Sequence, residues 1–189
     1  NWLHRDIKPE NFMLGREGSG KEDVVHMIDL GLADGYRDAE THRHYEGRSK
    51  RGRRPPRNTS VDFASWRTLQ GEEESRRDDL ESLGLMLVYF LKGRLPWQTP
   101  KVKGAAPQEK LPPRGVSSVQ IRQVSNIERL CRSLPTEIRT YLEYVRNLEF
   151  DDTPNYAYLR GLFQGLAVTK GIKFDSEWDW KLLGYGPRF

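Results

Sequence analysis

The sequence has a single cysteine, Cys131, among its 189 residues. One cysteine excludes an internal disulfide framework and a cysteine-rich zinc site, and it is typical of a reducing compartment, so we expect a cytoplasmic or nuclear protein. No uncharged apolar run approaches the 18 residues of a membrane span, because the longest run, residues 83–91, is suited to a buried helix. The chain begins at Asn1 without an initiator methionine or a signal-peptide pattern, so we interpret its start as a cut in a longer protein.

An excess of charge of one sign is also lacking. The 31 Lys and Arg residues nearly balance the 27 Asp and Glu residues, which leaves a formal net charge of +4. Such a small excess does not indicate a nucleic-acid-binding protein, so we expect neither a nucleic-acid nor a membrane partner. The aromatic content of 11% is too high for a disordered chain, and the length suits one domain. The composition therefore predicts one folded domain.

Helical patterns dominate the second half of the chain. We expect a buried helix over residues 80–91, preceded by a polar start at residues 76–79. Two amphipathic helices follow, one beginning near Pro135 and one after Pro154. The sequence therefore predicts a mainly helical body.

Strand patterns are sparse. Residues 23–28 form the most convincing run of β formers, and residues 11–14 are the expected partner in a small hairpin. Residues 48–57, which we call the basic segment, contain prolines and a glycine that forbid a regular helix. Residues 96–118 also contain prolines and glycines, and we expect a long loop there.

The sharpest signal lies at the start of the chain, where residues 4–11 read HRDIKPEN and residues 28–31 read IDLG. Any one of these polar residues could simply brace a buried turn. The ordered set, followed at hairpin distance by the second motif, resembles the catalytic loop and the metal-binding turn of protein kinases.

This resemblance implies a role for each polar residue of the two motifs. Asp6 would position and deprotonate the substrate hydroxyl, and Lys8 would steady the γ-phosphate of ATP. Asn11 and Asp29 would hold Mg²⁺. Leu30 stands where the metal turn usually has phenylalanine and keeps an apolar anchor beside the aspartate.

Longer strings narrow the resemblance. They are residues 31–33, 36–39, 41–42, 75–84, 95–98, 150–152 and 156–160, with Phe174, Asp175 and residues 178–180. These strings resemble the casein kinase I family of serine/threonine protein kinases, and the similarity runs from residue 1 to about Leu183. The resemblance implies the C-terminal, large lobe of a kinase, without the small lobe. This lobe would be mainly α, or α+β by ancestry, with a small β-hairpin.

On this resemblance, residues 1–189 form one protein kinase domain fragment. Its implied parts are the catalytic loop 4–11, the metal turn 29–31, the activation segment 29–65, the helical body 79–165 and the tail 166–189.

Further residues are implied to support the site. His4 and Arg5 belong to the catalytic loop, and the Asp79 carboxylate can hydrogen-bond the backbone of that loop. The alternative for Asp79 is a plain helix N-cap. The basic segment could attract acidic protein substrates or could be a solvated loop, and its arginines are Arg48, Arg51, Arg53, Arg54 and Arg57.

Two departures from the family bear on function. Asp62 replaces an arginine that in the family helps to bind an anion, so a preference for phosphate-primed substrates is not expected to carry over. The elements that cover the nucleotide are not in the sequence ahead of Asn1, so we expect activity in a longer parent and little in this fragment. The alternative is a non-catalytic kinase-like scaffold or a docking module built on the basic segment.

Overall fold

A computed structural model describes residues 1–16, 18–45, 62–98, 127–175 and 178. Within these ranges, helices make up most of the regular structure and the strands form two small antiparallel sheets. The strands are β1 (Trp2–Leu3), β2 (Phe12–Leu14), β3 (Val25–Met27) and β4 (Asp34–Gly35). The helices are α1 (Trp66–Leu69), α2 (Arg76–Lys92), α3 (Ile127–Leu130), α4 (Thr136–Arg146) and α5 (Tyr156–Lys170), and a 3₁₀ turn spans Pro9–Asn11. The basic segment and most of the loop predicted over 96–118 lie outside the described residues.

The predicted hairpin is confirmed. Strands β2 and β3 pair antiparallel, with Phe12 opposite Met27 and Leu14 opposite Val25. A second pair, β1 with β4, was not predicted, because strands of two residues are too short to show a period. This second pair joins Leu3 to Asp34 and so holds the start of the chain beside the segment that follows the predicted metal turn.

Helix α2 begins earlier than predicted. Residues 76–79 are its first turn and not a polar segment ahead of it. The Asp78 carboxylate accepts a hydrogen bond from the Ser75 backbone N–H (2.8 Å), which satisfies a donor that the helix itself cannot pair. The helix ends at Lys92, and Gly93, which follows it, has a φ of +75°, a left-handed conformation that glycine adopts without strain.

The apolar core lies where α4 packs against α2. Leu85 and Val88 of α2 and Leu142 of α4 are fully buried. Gly84 makes this packing possible, because a Cβ at that position would come within 2.5 Å of a Leu142 methyl group. The Tyr141 hydroxyl donates to the Leu80 carbonyl oxygen (2.9 Å) and so pairs its polar atom within the same interface.

Helix α5 completes the helical body and also corrects a boundary. It runs to Lys170, so the first five residues of the predicted tail, 166–170, are helical. The helix packs on α4 through Phe163, whose ring centroid lies 5.6 Å from that of Tyr141. Beyond residue 175 the structure describes Trp178 alone, and its indole Nε1 donates to Asp23 (2.7 Å) beside the hairpin.

The hairpin turns apolar side chains outward. Met13, Val25 and Met27 are 57%, 58% and 51% exposed.

None of the helices in the described parts of the chain is long and apolar enough to span a membrane.

Candidate active site

Three of the residues predicted from the catalytic motif meet at one carboxylate. The Lys8 ammonium lies 2.5 Å from Asp6 Oδ2, and the Asn11 side-chain amide donates to the same oxygen (3.1 Å). The Asn11 amide also donates to the Asp6 backbone oxygen (2.8 Å), because the 3₁₀ turn at Pro9–Asn11 folds the chain back on itself. Asp6 is 5% exposed, so these donors fix the orientation of a carboxylate that is almost fully buried.

His4 connects the catalytic loop to the metal turn. Its Nδ1 accepts the Asp6 backbone N–H (3.3 Å), which leaves the proton on Nε2 to donate to the Ile28 carbonyl oxygen (2.9 Å). The Ile28 N–H in turn donates to the Asn11 backbone oxygen (2.9 Å). Because Asp29 directly follows Ile28, these bonds bring the predicted metal turn to the side of Asn11.

Asp29 itself is exposed and lies in an uncommon conformation. Its φ is +62°, in the left-handed region that non-glycine residues enter at a cost of roughly 1–3 kcal/mol. One oxygen of its carboxylate accepts the Gly31 N–H (3.2 Å) and so stabilises this turn. The turn presents the carboxylate to solvent beside the catalytic loop.

Asp79 clamps the catalytic loop from helix α2. Its two carboxylate oxygens accept the backbone N–H groups of His4 (2.7 Å) and Arg5 (2.9 Å). Burial raises the pKa of the Asp79 carboxyl above its ordinary value, and these two hydrogen bonds oppose the rise. The N-cap alternative is wrong, because Ser75 is the N-cap and Asp79 lies within the helix.

Arg5 is held by acidic residues that the sequence did not identify. Its Nε lies 2.5 Å from Glu74 Oε2, and its Nη1 lies 3.2 Å from Asp34 Oδ2. Burial disfavours the Arg5 charge, but the hydrogen bond and charge of Glu74, with the charges of Asp34 and Asp79, outweigh it and raise the pKa of Arg5. Burial also raises the pKa of Glu74, against the hydrogen bond and charge of Arg5.

The predicted metal ligands offer oxygen atoms of the kind that Mg²⁺ prefers. The hydrogen bonds of the Asn11 amide nitrogen orient its oxygen away from Asp6, and Asp29 contributes a carboxylate. In the described parts of the chain, no group of three or more His, Cys, Asp or Glu side chains could hold a metal ion. One amide and one carboxylate nevertheless fit a cation whose other ligands are phosphate and water oxygens.

Two predicted substrate features fare differently. Arg48, Arg51, Arg53, Arg54 and Arg57 lie outside the described residues, so their expected contact with substrates stays a prediction. Asp62 is described and is anchored to the segment after α2: its backbone oxygen accepts the Trp97 indole N–H (2.8 Å), and its carboxylate accepts the Gln98 amide (3.3 Å).

A family model for the protein kinase domain matches residues 1–147 of this chain. The match covers more than half of the 189 residues and contains the catalytic loop, the metal turn and helices α1 to α4. The chain belongs to the protein kinase family. Protein kinases are transferases and in general use ATP with Mg²⁺. The kinase resemblance inferred from the two short motifs is therefore confirmed at the level of the family.

Proposed function

We propose that this chain is the large lobe of a casein kinase I-like serine/threonine protein kinase, which transfers the γ-phosphate of ATP to protein hydroxyls. The observation that carries the proposal is the arrangement around Asp6: a buried carboxylate with Lys8 and Asn11 on one oxygen, and the Asp29 turn joined to the same loop. The longer strings shared with the casein kinase I family support the subtype.

Each residue of the cluster has a task in this chemistry. Asp6 orients the substrate hydroxyl and accepts its proton. Lys8 places a positive charge where negative charge collects during transfer, and Asn11 and Asp29 would hold Mg²⁺. Mg-ATP, when bound, supplies the phosphoryl group. Because the cluster is fixed by hydrogen bonds before substrate arrives, little reorganisation is needed in the reaction.

The remaining expectations belong to the same proposal. We place the kinase in the cytoplasm or nucleus and expect protein substrates, acidic ones in particular because of the basic segment. His4, Arg5 and Asp79 act as supports of the catalytic loop. Asp62 would disfavour substrates that carry a phosphate near the acceptor residue.

The proposal is tested with the full-length native protein, Mg-ATP and casein as an acidic substrate. Asp6→Asn should lower kcat by about 10²–10⁴-fold, because the asparagine amide cannot accept the proton. ATP affinity should stay within about twofold, since the change removes a group of the chemical step. The readouts are phosphate incorporation and nucleotide titration.

Asp151→Asn is the matched control, because it makes the same chemical change at an exposed position. It should leave kcat unchanged. Equal activity of the Asp6→Asn protein and the native protein would overturn the assignment of Asp6. A native protein that is folded and transfers no phosphate would instead favour the non-catalytic scaffold.

A further inference from the structure

A continuous chain of hydrogen bonds joins helix α1 to the catalytic loop. The Thr68 hydroxyl of α1 donates to Glu74 Oε1 (3.1 Å), and the Thr68 backbone N–H donates to the Ser65 hydroxyl at the N-terminus of the helix (3.1 Å). The other oxygen of Glu74 accepts from Arg5 Nε (2.5 Å). Glu74 is therefore the single side chain in this series that bonds both α1 and the catalytic loop.

We propose that Glu74 is a positioning residue that anchors Arg5 and couples the segment 62–69 to the catalytic loop. The effect expected on catalysis rests on the proposed function, whereas the anchoring and the coupling do not.

The burial of Glu74 explains why its effect should exceed that of an ordinary ion pair. Its side chain is 10% exposed, whereas Asp34, the other acidic partner of the Arg5 side chain, is 68% exposed. An exposed pair contributes little because solvent screens it, but a partly buried guanidinium that loses its buried partner is left uncompensated. Without Glu74, the Arg5 side chain would keep mainly a solvent-screened contact.

The backbone at Arg5 gives this anchor a direct route to Asp6. Arg5 has a φ of +66°, a conformation that persists when surrounding contacts hold it. Asp79 holds the backbone of this residue and Glu74 holds its side chain. Because Asp6 is the next residue, a shift at Arg5 changes the direction of the Asp6 carboxylate.

The segment 62–69 lies close enough to receive this coupling. Ala64, directly before Ser65, lines a small cavity together with Arg5, Asp6 and Glu74. Ser65 and Thr68 are 1% and 3% exposed, and their buried hydroxyls donate to Asp78 and Glu74, respectively. A displacement of this segment would therefore be transmitted through Thr68 and Glu74 to Arg5.

The first test is Glu74→Gln, which keeps the side-chain shape and removes the charge. We expect kcat to fall about tenfold to a hundredfold, the factor that corresponds to a charge-assisted hydrogen bond, with both KM values within about twofold. Amide hydrogen exchange at Arg5 and Asp6 should accelerate by a similar factor, whereas exchange in α4 and α5 should not change. Glu149→Gln, at an exposed position, is the matched control and should change neither readout.

The second test is Thr68→Val, which removes the hydroxyl bonded to Glu74 and leaves the Arg5–Glu74 pair in place. Exchange should accelerate in the segment 62–69 and, by a smaller factor, at Arg5 and Asp6. This variant also decides the coupling if Glu74→Gln does not fold.

Three results would overturn the inference. Glu74→Gln with native kcat and native exchange at Arg5 would show that Glu74 does not anchor the loop. Exchange that accelerates equally in all helices would show a general loss of stability instead of positioning. Unchanged exchange at Arg5 and Asp6 in Thr68→Val would refute the coupling. If the native protein transfers no phosphate, the proposed function fails and the exchange measurements alone decide this inference.

Discussion

The two halves of helix α2 bury opposite kinds of side chain. The first half buries charged residues, among them Arg77, Asp78 and Glu81, and the second half buries Leu85 and Val88. The charged half bonds the catalytic loop, the N-terminus of α1 and the C-terminal end of α4, whereas the apolar half packs against apolar side chains of α4. The contacts with the catalytic loop thus come from the charged half alone.

The two halves obtain their partners differently. An apolar side chain is stabilised by any well-fitting apolar neighbour, since the hydrophobic effect has no direction. A buried charge needs a specific partner: Arg77 donates to the Leu148 carbonyl oxygen (3.0 Å), and Glu81 accepts from Arg146 (3.2 Å). The charged half therefore tolerates fewer substitutions and should respond to pH.

The largest effect on stability is expected in the apolar half. Leu85→Ala should lower the free energy of unfolding by about 2–5 kcal/mol, because Leu85 is fully buried and its neighbours cannot fill the space. The loss should be the same at pH 5 and pH 8. Denaturant unfolding measures it, with Leu91→Ala, at a position 54% exposed, as the control that changes little. A loss that varies with pH would contradict the contrast between the two halves.

The next largest effect on stability is expected in the charged half of α2, at Asp78, and it should depend on pH. Burial raises the pKa of Asp78 to about 6, against the bonds from Ser65 and Ser75. The folded protein thus holds this proton more tightly than the unfolded chain does. The resulting stability is fully present below the unfolded pKa near 4 and is lost as pH rises through 6, by on the order of 3 kcal/mol.

Asp78→Asn stays neutral throughout, so it should lose that part of the pH dependence. The check is the free energy of unfolding of the native and variant proteins from pH 4 to pH 8. Asp151→Asn, at an exposed carboxylate, should parallel the native curve. If the Asp78→Asn curve is parallel to the native curve, Asp78 does not have the raised pKa that its burial implies.

The smallest effect on the free energy of unfolding is expected for a charged pair that is not buried. Arg139 and Glu143 form an exposed pair on α4 at 3.2 Å, with side chains 45% and 47% exposed. Glu143→Gln should lower the free energy of unfolding by about 0.3–0.5 kcal/mol, and added salt should remove the difference. A loss above about 1 kcal/mol would mean that a charged pair stabilises the fold even without burial. The sensitivity of the first half of α2 to substitution would then come from charge alone.

The apolar half could be predicted from the sequence and the charged half could not. The amphipathic pattern beginning near Pro135 predicted α4, because helical period is local information, and its apolar residues Ile138, Tyr141, Leu142 and Val145 are buried. Local information also predicted the β2–β3 hairpin. It placed the start of α2 four residues late, because charges in a first helical turn look like a polar loop.

The candidate site divides in the same way. The motif placed Asp6, Lys8 and Asn11 close in sequence, and the structure brings their side chains together. Glu74 stands in a run of three glutamates, residues 72–74, that belongs to none of the motifs of the sequence. Its partner Arg5 is 69 residues away, and no local pattern indicates a contact at that distance.

The separation between His4 and Asp79 also sets the order in which the site can form during synthesis. The two residues are 75 positions apart, so a ribosome adding 5–20 residues per second needs roughly 4–15 s to supply the clamp after the loop. During that interval the hairpin can already pair, since its strands are close in sequence, and it exposes Met13, Val25 and Met27. The motif of residues 4–11 is therefore synthesised seconds before the carboxylate that clamps its backbone.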